Sequence, residues 1–136
     1  MKRSEAREML FKALYEVEFQ KDATEEHIIL FLENNEITDK ETIEYIKKSV
    51  NDINSKKEEL ENDISKNLKK DWTIERISKI NVALLKLAIY EIKYAEIPFK
   101  VVINEVVDLA KKYSEETAPA FINGVLASIV AEQEVQ

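Results

Sequence analysis

Apolar residues recur at intervals of three and four along most of this chain, the period that lays one apolar stripe along each of a series of helices. The pattern is strongest from Pro98 to Val130, where two helices are expected. In the first, Phe99, Val102, Ile103, Val106, Leu109, Ala110 and Tyr113 form a broad apolar arc opposite Lys100, Asn104, Asp108, Lys111 and Lys112. The second opens near Pro119, a residue suited to a first helical turn, with Thr117 as its cap. Phe121, Ile122, Val125, Leu126, Ile129 and Val130 share one side of it, and the small residues Ala120, Gly124, Ala127 and Ser128 run along another edge. Gly124 is the one glycine of the sequence, and an interior glycine costs a helix about 1 kcal/mol against alanine. Close approach of another helix backbone along the small edge is the expected compensation.

The same spacing organises the rest. Met1 to Phe19 reads as a first helix capped by Ser4, with Ala6, Leu10, Ala13 and Val17 as its core face. A short connection, Gln20 to Ala23, leads to Thr24, which can cap a helix carrying Ile28, Ile29, Phe31 and Leu32 and ending at Asn34-Asn35. Ile43, Ile46, Val50, Ile53, Leu60, Ile64 and Leu68 then mark one long amphipathic helix, or two broken near Asn54-Ser55, with a solvated charged side. Asp71-Trp72-Thr73 is a junction, and Thr73 can cap a single turn bearing Ile74 and Ile77. Asn81 opens a helix from Val82 to Ala95 that is apolar almost all round, with Lys86 and Lys93 as its polar edge; such a helix belongs in the middle of a bundle. Glu91 falls inside its apolar sector, so the carboxylate is either hydrogen-bonded internally, the simpler reading, or exposed until a partner covers it. Ile97-Pro98 ends the helix, because the residue before proline is pushed out of helical geometry.

One glycine and two prolines argue against a sheet full of turns, and the abundance of Ala, Leu, Ile, Glu and Lys argues for an all-α fold. With 136 residues, 45% of them hydrophobic, residues 1–136 make one domain with a full core. The absence of cysteine excludes disulfides and thiolate metal sites, and together with the lack of any membrane-length apolar run it places the chain in a reducing, cytoplasmic setting. His27, the single histidine, reads as a surface residue; no metal site, cofactor or catalytic constellation is expected, so the chain is not read as an enzyme. The net charge of −7 is uneven: residues 20–63 hold six basic and thirteen acidic side chains, and both flanking stretches are neutral. Local basic patches are therefore compatible with the acidic total.

Arg3, Arg7, Phe11 and Tyr15 follow one another at i, i+4 spacing, a slowly winding line of cations and then rings. Pattern alone leaves two readings open. Later helices can wrap the line and bury the rings, or the line is a ligand edge, since guanidinium groups pair with phosphates and aromatic faces stack on unpaired bases.

Three stretches resemble the NusB family of transcription antitermination factors: Arg3-Ser4-Glu5-Ala6-Arg7-Glu8 leading to Ala13-Leu14-Tyr15; Ile80 to Ile92 with Ala88-Ile89-Tyr90-Glu91; and Ile97 to Glu105, then Leu109-Ala110-Lys111 and Phe121-Ile122-Asn123-Gly124-Val125-Leu126. The third is the most specific. The chain ends soon after it and so looks like the free-standing factor rather than the related domain fused to an RNA methyltransferase. The resemblance implies six or seven helices in two small bundles packed across one another. It also implies binding of boxA RNA together with the small-subunit ribosomal protein NusE, in support of elongation by RNA polymerase, notably through ribosomal RNA operons. Carried over by position, Lys2, Arg3, Arg7, Tyr15 and Phe121 are the implied RNA contacts, and Glu75 and Asn81 the implied partner contacts. Ser4 and Glu5 interrupt a start that is a run of arginines in some members, and Asn81 stands where acidic residues often occur. Fewer cations imply weaker RNA binding by the chain alone and a shallower salt dependence. A helical interaction or self-associating adaptor with little RNA affinity, including a homodimer, is the alternative.

Overall fold

The computed structural model describes residues 1–20 and 25–135. The expected Thr24 cap and most of the connection before it lie outside these residues. Among the described residues there are seven α-helices, one 3₁₀ turn and no strand, so the fold is all-α as the periodicity implies. The chain divides into two compact units, Met1–Lys56 and Lys57–Gln136.

In the first unit, α1 (Arg3–Glu18) packs against α3 (Lys40–Ser55), with α2 (Glu25–Asn34) between them in sequence. Ser4 does not cap α1: the cap position is Lys2, which makes no side-chain bond. At an exposed helix start, water can serve the first amide groups instead. The buried face is broader than the aliphatic arc expected from the sequence. Leu10 and Ala13 lie in it, joined by Arg7, Phe11 and Leu14, whereas Ala6 and Val17 are only half-buried. Helix α2 buries Ile28, Phe31 and Leu32 but leaves Ile29 and Leu30 exposed, and His27, expected at the surface, is half-buried. It ends in a tight reversal: Glu36 takes a left-handed φ of 53°, and Ile37 N–H reaches back to Leu32 O at 3.0 Å. Asp39 caps α3, accepting from the Thr42 hydroxyl and from Thr42 N–H at 3.1 Å, and these bonds hold its carboxyl below the usual range. The chain breaks at Lys56, which decides between one long helix and two.

In the second unit, α5 (Lys79–Lys93) is the centre. It packs against α4 (Lys57–Lys66), α6 (Phe99–Tyr113) and α7 (Ala118–Val135), and every residue from Asn81 to Glu91 is buried. That is why it is apolar all round. Its N-cap is Ser78, whose Oγ accepts from Asn81 N–H at 3.2 Å, so the helix begins before the expected Asn81 start. Lys86 is not a solvated edge. It is 4% exposed, and its ammonium meets Glu61 at 2.8 Å. Lys93 pairs with Asp63 at 2.8 Å and the Tyr94 hydroxyl donates to Glu59 at 2.6 Å, so part of the charged side of α4, expected in water, is spent on α5. Glu91 is 2% exposed, and among the described residues no buried side-chain polar atom goes without a hydrogen bond, in line with internal satisfaction. Helix α6 buries Val102, Val106, Leu109 and Ala110 of its predicted arc. Helix α7 buries Ile122, Val125, Leu126, Ile129 and Val130, with Pro119 in its first turn.

The small edge of α7 overturns one expectation. Ala120, Gly124, Ala127 and Ser128 are all exposed, and a Cβ built on Gly124 would meet nothing within 4 Å. No backbone packs there. The buried stripe of α7 satisfies its neighbours, which leaves the small edge to solvent.

Candidate nucleic-acid interface

Lys2 and Arg3 open α1 and are exposed. Each i+4 step on a 3.6-residue helix advances about 40° around the axis. The line from Arg3 therefore winds into the packed sector and out again rather than keeping to one face. Arg7 is 5% exposed and Phe11 2%, Tyr15 is half-buried, and Phe19, one step further, is 59% exposed. Arg7, implied as an RNA contact, is thus buried rather than open to solvent. A guanidinium at that depth has its hydrogen bonds met within the protein rather than offered to a ligand in solvent.

The rings come back to the surface where the line re-emerges. The Tyr15 ring lies 6.4 Å from Phe11, nearly parallel at 29°, and 5.0 Å from Phe19, edge-on at 88°. Such contacts restrict the rotamers of Tyr15, so a flat group meeting the ring would find it already ordered. Phe19 is not among the implied contacts, although the same i+4 step that links Phe11 to Tyr15 leads to it.

The other implied contacts belong to the second unit. Phe121 is half-buried on α7 and lines an open groove of about 510 Å³ with Asn67, Lys69, Trp72, Ala120 and Gly124. Asn67 fixes one side, donating to Asp63 O at 2.8 Å and accepting from the Ser128 hydroxyl at 2.6 Å. Trp72 is 53% exposed, and the Arg76 guanidinium lies 5.7 Å from its ring centre. Glu75 is exposed on the 3₁₀ turn Ile74–Arg76. Asn81, the other implied partner contact, is 3% exposed, and its Oδ1 accepts from the Ser114 hydroxyl at 2.8 Å, tying α5 to the end of α6. Because sequence places Asn81 at a helix start, its exposure was the natural expectation; the Ser78 cap moves it into the helix and inward. Among the described residues no group of three or more His, Asp or Glu could hold a metal ion, and no helix is long and apolar enough to cross a membrane.

The model of the NusB family matches residues 4–131. This chain belongs to the NusB family. The transcription antitermination protein NusB of Clostridium novyi is 41% identical over 133 residues, covering 96% of this chain and 98% of that protein. Among solved structures, T. maritima NusB superposes with a TM-score of 0.86 at 31% identity, covering 97% of this chain and 92% of that one. A crystal structure of the antitermination factors NusB and NusE in complex with double-stranded RNA gives 0.84 at 31% identity, covering 93% of this chain and 94% of that one. NusB relatives thus match nearly the full chain in both sequence and fold, and the family is one of transcription antitermination.

Proposed function

We infer that this NusB-family chain is an antitermination factor that binds boxA-type single-stranded RNA jointly with NusE and supports processive elongation by RNA polymerase, notably of ribosomal RNA operons. It works in the cytoplasm, without catalysis, as one functional domain spanning residues 1–136. Lys2 and Arg3 neutralise phosphates, Tyr15 and Phe121 stack on bases, and Glu75 faces the ribosomal partner. The observation that carries this reading is the aromatic ladder of α1, which rises from the buried Phe11 through Tyr15 to the exposed Phe19 just where the family resemblance puts an RNA contact. A relative crystallised with NusE and double-stranded RNA supports the choice of partners.

The test is a fluorescence-anisotropy titration of labelled boxA RNA with the chain alone and with NusE added. Weak binding alone and tighter binding with NusE are expected; no binding in either case refutes the reading. The burial of Arg7 favours one second reading, because it takes a further cation from an already thinned basic start. In that reading the chain is a protein-interaction or self-associating adaptor, and the titration would find NusE binding or a homodimer without RNA.

A further inference from the structure

The groove beside Phe121 has features that internal packing does not require. The indole of Trp72 is 53% exposed, although burying an aromatic of that size is one of the larger gains open to a small domain. Gly124 lies in the opposite wall with open space where a side chain would be, so the helix bears the cost of a glycine without any internal contact that needs it. The volume of about 510 Å³ falls among clefts that hold small ligands, and its walls are mainly apolar. Among the described residues Lys69 is the one ionic side chain in the lining, and Arg76 sits over the indole at 5.7 Å. Flat aromatic surface flanked by cations complements a ligand that is itself flat, aromatic and anionic. A single-stranded nucleic acid is such a ligand, since stacking tolerates any base and the neighbouring phosphate needs a cation.

We propose that this groove of the second unit takes an unpaired RNA base, stacked on Trp72 and bordered by Phe121, with the adjoining phosphate held by Lys69. The absent side chain of Gly124 keeps the far wall low enough for the base to enter. This rests on the RNA-binding reading and adds to it a further stacking position, supplied by the only tryptophan of the chain.

That singularity makes the test direct. The full chain is prepared with 5-fluorotryptophan, so that one ¹⁹F resonance reports on Trp72, and is titrated with boxA RNA in the presence of unlabelled NusE. Anisotropy of labelled RNA follows binding in parallel. The resonance is expected to shift to saturation as RNA binds. Trp72→Ala should weaken RNA binding by about 5- to 150-fold, the range of one lost base stack. Gly124→Leu should weaken it comparably by filling the groove, while the added Cβ clashes with nothing and the fold is kept. If RNA binds while the resonance stays put and both variants keep wild-type affinity, the groove is no RNA site, although the RNA reading stands. A shift produced by NusE alone, with no further change on adding RNA, makes the groove a protein interface and overturns the proposal. If wild type binds no RNA even with NusE, the proposal and the functional reading fall together.

Discussion

Replacing Arg7 by methionine separates a buried cation from an RNA-facing one. The side chain is 5% exposed, whereas Lys2 and Arg3, on the same helix, are exposed. A cation that neutralises a phosphate of single-stranded RNA contributes about 0.7 to the slope of log affinity against log salt. Lys2→Ala combined with Arg3→Ala should therefore flatten the slope by about 1.4 if each meets one phosphate. Arg7→Met should leave the slope unchanged. Its effect belongs to the folded state, where losing the hydrogen bonds of a buried charged group costs about 2 kcal/mol. In a chain of this size that lowers Tm by roughly 6–10 °C. Anisotropy titrations with boxA RNA and NusE at several salt concentrations, with calorimetry on the same preparations, measure both quantities. A flatter slope for Arg7→Met at unchanged Tm would refute the reasoning, because it would mean that the guanidinium faces RNA after all.

Other outcomes follow from single contacts. Tyr15→Ala should reduce affinity for boxA RNA by about 5- to 150-fold, while Tyr15→Phe, which keeps the stacking surface, should stay near wild type in the same titration. Glu36 holds a φ of 53° that a side chain disfavours, so Glu36→Gly should raise stability by about 1 kcal/mol in urea denaturation; a loss would mean that the carboxylate itself matters there. The hydrogen bond from Tyr94 to Glu59, with burial second, pushes the phenol from 10.0 to about 12. Because the folded chain holds that proton more tightly, the stability difference between wild type and Tyr94→Phe should be complete below pH 10.0 and fade as pH rises through about 12. A difference that stays constant across that window in urea titrations would assign the contribution to packing alone.

The helices were legible because burial repeats with the helical period. The α7 stripe from Ile122 to Val130 and the all-round apolar α5 follow from spacing alone, since a face that must leave water has to be apolar whatever covers it. The family resemblance was equally local, carried by short motifs in order. Side chains whose chemistry suits either water or a partner were harder to place. Lys86, Asn81 and Arg7 are polar and read as exposed, but each is buried, and the visible partners of the first two come from residues 25 and 33 positions away, Glu61 and Ser114. Nothing in the local sequence encodes such pairings.

By itself the sequence determined the all-α class, the helix that forms a core, the break between α3 and α4 as one of two options, and the family. Tertiary structure alone decided which cations of α1 reach solvent and where the aromatic line surfaces. It also decided that the small edge of α7 borders an open groove instead of another helix. The reason is physical: periodicity says which face of a helix is apolar, but only the neighbours actually packed against it set where that face ends.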